Sequence, residues 1–250
     1  MAEMTINGRT VPIQGNESVL EVAQREGIWI PTLCHHPALP PYGACRLCLV
    51  EVKAGGRPGL AASCVLPAAD GLVVETDSER VKKTRRILVK LLLEMTDKAP
   101  AVLDLASKLG VEVLPQDKGR ARPENRAEDC VLCGLCVRAC ESVGAFAISF
   151  AYRGSKRAVM PPFGAKAEEC IGCQACAQVC PTGVVDFRVE GDRLVGEPWG
   201  AEIALKRCVS CQALFIPAAQ ADYLKRKFSL EFVTEDLCPE CRRRHTVPAP

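Results

Sequence analysis

Three observations predict an α+β chain made of several small, metal-organised units rather than one large core. The 250 residues hold 16 cysteines against 3 histidines, and the cysteines fall into four groups of four: 34/45/48/64, 130/133/136/140, 170/173/176/180 and 208/211/238/241. Aromatic residues are only 5% of the chain, too few for large aromatic cores, so bound metal must help to hold each unit together. Residues 3–13 alternate at the strand period, whereas Ser78 to Met95 follow the helix period, so both kinds of element are expected.

In chain order, Asn7-Gly8 is expected as a two-residue hairpin turn joining Met4-Thr5-Ile6 to Thr10-Val11-Pro12-Ile13. Ser18-Val19-Leu20-Glu21 is a capping box at the start of a helix that Gly27 closes. A hairpin, a helix and then a cysteine-bearing loop is the order of a small sheet wrapped around one helix. From Ser78 to Met95, apolar Val81, Leu88, Leu91, Leu92 and Met95 are interleaved with Lys82, Lys83, Arg85, Arg86 and Lys90, which predicts a helix with a basic outer face. A further helix is expected from Pro100 to Gly110, a linker between Pro115 and Asp129, and a boundary near residues 190–200.

The composition also excludes some classes. Sixteen cysteines in a secreted chain would suggest disulfides, but Met1-Ala2-Glu3-Met4-Thr5-Ile6 lacks the basic-then-apolar pattern of a signal peptide, so a reducing cytoplasm is expected. The longest apolar stretch, Ile87 to Leu93, carries a lysine and falls far short of the ~20 residues a membrane span needs. A net charge of +2 gives no electrostatic case for nucleic acid. Gly154, Gly164, Gly172 and Gly183 form no dinucleotide fingerprint, and no phosphate-binding Gly-x-x-x-x-Gly-Lys segment is present.

The first cysteine group is Cys34-x10-Cys45-x2-Cys48-x15-Cys64. Four thiolates suit a [2Fe-2S] cluster, and Gly43 and Ala44 suit a loop whose backbone N–H groups approach the sulfurs; a structural zinc site is the alternative. The second and third groups share the spacing Cys-x2-Cys-x2-Cys-x3-Cys, the run of two-cluster ferredoxins in which each fourth cysteine ligates the other cluster. The expected ligand sets are therefore Cys130, Cys133, Cys136 with Cys180 for one [4Fe-4S] cluster, and Cys170, Cys173, Cys176 with Cys140 for the other. Zinc knuckles are the alternative, although zinc seldom takes three evenly spaced cysteines in a row. Pro181 follows Cys180 as the pattern expects, whereas Glu141 follows Cys140. The fourth group pairs Cys208-x2-Cys211 with Cys238-x2-Cys241, the pattern of a zinc ribbon; a single iron or a third [4Fe-4S] cluster would use the same thiolates. His35 and His36 read as loop histidines beside a complete ligand set, and Arg242-Arg243-Arg244-His245 as a solvated run.

The long-gap [2Fe-2S] motif, the helical segment and the dicluster run, with Asp129-Cys130-Val131-Leu132-Cys133-Gly134-Leu135-Cys136-Val137-Arg138-Ala139-Cys140-Glu141, resemble the diaphorase small subunit of NAD-reducing hydrogenases and the N-terminal region of the complex I large iron-sulfur subunit. The resemblance covers about residues 3 to 190 and accounts for the glutamate in place of proline. It departs in two places. Relatives usually carry a [4Fe-4S] cluster with one histidine ligand between the two regions, but residues 65–129 contain neither cysteine nor histidine. The C-terminal four-cysteine ribbon lies outside the matched region.

The resemblance implies a β-grasp [2Fe-2S] ferredoxin domain over 1–80, a helical connector and linker over 81–125 and a dicluster [4Fe-4S] ferredoxin domain over 126–192, and the two Cys-x2-Cys pairs add a zinc-ribbon-like domain over 193–250. The resemblance further implies an electron-transfer subunit, not catalytic alone. The implied partners are an FMN-containing NAD(P)H dehydrogenase subunit on one side and a terminal catalytic subunit, such as a hydrogenase or formate dehydrogenase, on the other.

Overall fold

The computed structural model describes residues 2–113, 127–164, 166–228 and 236–246, and the chain divides into two compact units, residues 1–122 with 128–135, and residues 123–127 with 136–250.

In the first unit, β1 (Glu3–Ile6) and β2 (Arg9–Pro12) pair antiparallel from Glu3↔Pro12 to Ile6↔Arg9. The expected Asn7-Gly8 turn joins them, and both residues have the positive φ, 52° and 79°, that a twisted two-residue hairpin requires. Asn7 is held from outside as well: its amide donates to Thr76 Oγ1 at 2.8 Å and accepts from the Thr76 N–H at 2.7 Å. Helix α1 (Val19–Arg25) opens on the expected capping box, Glu21 N–H donating to Ser18 Oγ at 3.3 Å and Ser18 N–H to the Glu21 carboxylate at 2.7 Å.

β3 (Leu49–Ala54), β4 (Gly59–Ala62) and β5 (Val73–Glu75) complete a five-stranded sheet in the order β2-β1-β5-β3-β4. All pairs are antiparallel except β1 with β5. Val19, Leu20 and Val22 of α1 pack with Met4, Ile6 and Val74 of the sheet in one buried core. Cys48 and Cys64 belong to that core, since the pairing Leu49↔Ala62 brings the chain just before β3 beside the chain just after β4.

Helices α2 (Glu79–Leu93) and α3 (Pro100–Lys108) build a second core with Leu33, Leu47 and Val131. Pro100 starts α3 and Gly110, at φ 61°, follows its end, as expected. The facing of α2 differs from expectation. Its buried line runs Val81, Arg85, Val89, Leu92 and Leu93, while Leu91 is exposed. Arg85, expected on the basic outer face, is 4% exposed, because Leu47 just before β3 and Leu49 at its start offer it two carbonyls. The linker expected between Pro115 and Asp129 lies mostly outside the described residues.

The second unit holds most of α4 (Leu135–Val143), the hairpin of β6 (Ser149–Ala151) with β7 (Ala158–Met160), and the short α5 (Ala175–Gln178). β8 (Asp186–Glu190), β9 (Arg193–Glu197), β10 (Ala201–Arg207) and β11 (Leu214–Pro217) follow as a four-stranded antiparallel meander. This sheet runs through the boundary expected near residues 190–200, because β8 and β9 stay in register from Asp186↔Glu197 to Glu190↔Arg193 around Gly191. Helix α6 (Ala218–Phe228) packs on β10 and β11, and α7 (Pro239–Thr246) follows. From α6, the Tyr223 hydroxyl and Lys227 Nζ, the latter at 2.7 Å, both donate to the Val143 carbonyl, one of the acceptors that the end of α4 leaves without a helical partner. Among the described residues, no helix is long and apolar enough to cross a membrane.

Candidate iron-sulfur and metal centres

The first cysteine group converges. Cys34, Cys48 and Cys64 are buried and Cys45 is half-buried. The Sγ atoms of Cys48 and Cys64 lie 3.4 Å apart, and the Cys45 N–H donates to Cys34 Sγ at 3.3 Å. Cys34 acts electrostatically on each of the other three. A hydrogen bond with Cys64 brings the Cys48 thiol down to about 6 against the effect of burial, with the Ser63 hydroxyl assisting. The Cys45 and Cys64 thiols are driven up by their hydrogen bonds to Cys34 and Cys48 and by burial. Four crowded thiols, three of them buried, cannot all ionise without a cation among them. A sulfur-only donor set with a backbone N–H aimed at sulfur fits a [2Fe-2S] cluster.

The two ferredoxin-type runs wind alike. In Cys130-Val131-Leu132-Cys133-Gly134-Leu135-Cys136 the positive-φ residues are Leu132 (54°) and Gly134 (75°); in Cys170-Ile171-Gly172-Cys173-Gln174-Ala175-Cys176 they are Gly172 (74°) and Gln174 (59°). The same two places are left-handed in both runs with glycine at opposite ones, so each run holds one non-glycine residue at an unfavourable φ, about 1–2 kcal/mol. Such a winding turns successive N–H groups inward, as binding of an anionic cluster requires.

Across the runs, Cys140 is within electrostatic reach of Cys170, Cys173 and Cys176. Burial pushes the Cys176 thiol up to about 12, with negative charge at Cys170, Cys173 and Cys140 adding to it. Cys140 Sγ accepts the Ala147 N–H at 3.2 Å. At Cys180 burial alone would raise the thiol, but the Thr182 hydroxyl and nearby N–H groups hold it below its ordinary value. Cys136 is buried on α4, while Cys130 and Cys133 are half-buried. Within the first unit, Cys133 packs on the same core as Cys45, and both line one cavity of about 160 Å³ walled by Leu33, Leu92, Met95 and Val131.

The fourth group is the tightest. All four Sγ atoms of Cys208, Cys211, Cys238 and Cys241 lie within 4.8 Å of one another, and Cys211 and Cys238 are 3.7 Å apart. Sulfurs at about 2.3 Å around one tetrahedral ion stand about 3.8 Å from each other. Cubane thiolates bind four separate irons and stand farther apart, so this group has the dimensions of a single-ion site. Cys208 ends the β10 hairpin arm; its thiol is brought down to about 6 by the N–H groups of Cys211 and Cys238, the latter at 3.3 Å. Cys238 and Cys241 flank the start of α7, and the Cys241 N–H donates to Cys238 Sγ at 3.4 Å.

Other residues have plain roles. His36 Nδ1 accepts the Ala38 N–H at 3.2 Å within its own loop, and Arg244 pairs with Glu240 one helical turn earlier. Sequence reasoning missed Ser63, whose hydroxyl donates to the Cys48 carbonyl at 2.8 Å, and Arg85, whose guanidinium donates to the carbonyls on either side of Cys48. The signal for Arg85 was its helical phase, four residues from Val81 and four from Val89.

Comparison with known proteins matches two of the regions that carry these cysteines. Residues 1–79 match the family described as 2Fe-2S iron-sulfur cluster binding domain, and residues 125–187 the family described as 4Fe-4S dicluster domain. The chain is thus an iron-sulfur protein that joins a [2Fe-2S] domain to a dicluster [4Fe-4S] domain. It is similar to the mitochondrial NADH-ubiquinone oxidoreductase 78 kDa subunit of Candida albicans, 32% identical over 79% of this chain and 30% of the relative. It is also similar to the NADPH-Fe(3+) oxidoreductase subunit alpha of Geobacter sulfurreducens, 29% identical over 94% of this chain and 29% of the relative. That share of this chain is too large to stop at the dicluster domain, so the likeness continues into the four-cysteine tail. Among solved structures, a chain of the NAD+-reducing [NiFe]-hydrogenase in the H2-reduced state superposes with a TM-score of 0.64 at 29% identity, covering 76% of this chain and 88% of that one. The expected resemblance to iron-sulfur subunits of NAD(P)H-linked oxidoreductases is therefore found, while the chain spans less than a third of the length of the two curated relatives.

Proposed function

We propose that this chain is the electron-relay subunit of a multisubunit NAD(P)H-linked oxidoreductase and has no catalytic activity alone. Cys34, Cys45, Cys48 and Cys64 hold one [2Fe-2S] cluster. Cys130, Cys133, Cys136 and Cys180 hold one [4Fe-4S] cluster, a set that rests on spacing, and Cys140, Cys170, Cys173 and Cys176 hold another, which the mutual reach of those thiols supports. Cys208, Cys211, Cys238 and Cys241 hold one zinc, because zinc prefers a closed tetrahedral four-thiolate site of this size. Residues 1–80 then form a β-grasp domain and 81–125 a connector, while the dicluster region over 126–192 runs on through the β8–β9 pairing into the zinc-ribbon-like region over 193–250, in a protein that we place in the reducing cytoplasm.

The observation that carries the reading is that Cys45 of the first cysteine group and Cys133 of the second line one apolar-walled cavity. Bound clusters supply one-electron transfer, and thiolate-saturated irons leave no position for a substrate. The residues of the chain do the rest. Leu33, Leu92, Met95 and Val131 wall the cavity that both Cys45 and Cys133 line, which offers the first two ligand sets a route without a histidine-ligated relay. By similarity to subunits of NADH-, NADPH- and hydrogen-linked complexes, electrons enter from an FMN-containing NAD(P)H dehydrogenase subunit and leave to a terminal catalytic subunit, or travel in reverse.

Anaerobic reduction by NAD(P)H, followed by electron paramagnetic resonance with and without the flavoprotein subunit, tests this. The purified chain alone is expected to stay oxidised and the complex to become reduced. Rapid reduction of the lone chain would reveal a nucleotide site and overturn the reading.

A further inference from the structure

We infer that Arg85 sets the reduction potential of the [2Fe-2S] site, acting as a buried positive charge clamped to the backbone on both sides of Cys48. The inference rests on the proposed function of Cys34, Cys45, Cys48 and Cys64. Arg85 is 4% exposed; its Nε donates to the Leu47 carbonyl at 3.0 Å and its Nη2 to the Leu49 carbonyl at 2.7 Å. Those two peptides bracket Cys48, whose own carbonyl is held by Ser63. The guanidinium therefore fixes the direction in which the Cys48 side chain leaves the backbone.

The partners of this guanidinium make it more than a clamp. Both acceptors are carbonyls, which take hydrogen bonds from Nε and Nη2 without neutralising the charge. Taking a charge out of water is costly unless an opposite charge lies nearby. The Cys48 thiolate is the foremost group favouring the charged guanidinium, followed by Asp77. Burial pushes Arg85 down only to about 10, so it stays protonated at neutral pH. The surroundings are apolar: Leu47 and Val89 are fully buried, which leaves little water to screen the field. Each electron added to the cluster adds one negative charge, and net charge and hydrogen bonding at the ligands are what set cluster potentials. A fixed cation behind Cys48 therefore favours the reduced form.

The test is a redox titration of the full chain, monitored by electron paramagnetic resonance, on wild type, Arg85→Lys, Arg85→Gln and Arg85→Met. The neutral variants are expected to shift the [2Fe-2S] midpoint to more negative potential, Arg85→Lys to stay near wild type, and the [4Fe-4S] midpoints to stay unmoved. An unchanged or more positive [2Fe-2S] midpoint in Arg85→Met, or an equal shift of all clusters, overturns the inference and reduces Arg85 to a structural clamp. If the neutral variants fail to assemble the cluster while Arg85→Lys assembles it, the charge requirement is upheld. Failure of Arg85→Lys as well assigns the effect to hydrogen-bond geometry and rejects the inference. Absence of a [2Fe-2S] signal in wild type would instead refute the assignment of the site itself.

Discussion

Gly172 lies inside the third cysteine group, at φ 74°, between Cys170 and Cys173. A Cβ there would meet Pro217 Cβ and Cγ at 2.9 Å and Leu194 Cδ2 at 3.2 Å, on the meander that continues into the four-cysteine tail. Gly172→Ala should thus lose twice. The left-handed backbone penalises any side chain by about 1–2 kcal/mol. Forcing a methyl group against a proline ring on a paired strand adds the ~1–3 kcal/mol typical of overpacking. The expected sum is about 2–5 kcal/mol. Gly183→Ala is the matched control, because Gly183 has φ 69° and nothing within 4 Å of the added Cβ, so it should lose only the backbone term. Anaerobic urea unfolding of the cluster-loaded chain, followed by the visible absorbance of the [4Fe-4S] centres, measures both. Equal losses in the two variants would show that the cluster loop does not press on Pro217 and Leu194, and would refute the reasoning.

Three other outcomes are expected. Cys140→Ser should damage the cluster held by Cys170, Cys173 and Cys176 rather than that of its sequence neighbours; a structure of the loaded protein with Cys140 and Cys130 on one cube would sink the crossed ligand sets. Anaerobic metal and sulfide analysis should find about ten irons and one zinc per chain, whereas about fourteen irons without zinc would mean a third cubane in the tail. Tyr223→Phe should destabilise the protein by only about 0.5–1.5 kcal/mol in chemical denaturation, because Lys227 still donates to the Val143 carbonyl; a loss of several kcal/mol would mean that the lysine contact does not form in solution.

What the amino-acid sequence determined by itself was local. Asn7-Gly8 permits two successive positive φ values, Ser18 and Glu21 satisfy each other's backbone donors within one turn, and Pro100 and Gly110 bound a helix through their own covalent geometry. The cysteine spacings likewise defined the chemistry, since Cys-x2-Cys-x2-Cys can wrap one cluster with few chain conformations. Only the tertiary structure decided matters that depend on residues far apart. The spacing of Cys208, Cys211, Cys238 and Cys241 favours a zinc ribbon over a single iron or a cluster, and it is the hairpin arm and the start of α7 that bring the four sulfurs within 4.8 Å of one another. The boundary expected near residues 190–200 disappeared into a sheet, because a turn signal cannot tell a hairpin from a domain end until the strands pair. Arg85 was misplaced for the same reason. A charged residue in a helical pattern is assumed to face water, and only the carbonyls of Leu47 and Leu49, where a loop distant in sequence enters β3, accept its hydrogen bonds and offset the penalty of burying it.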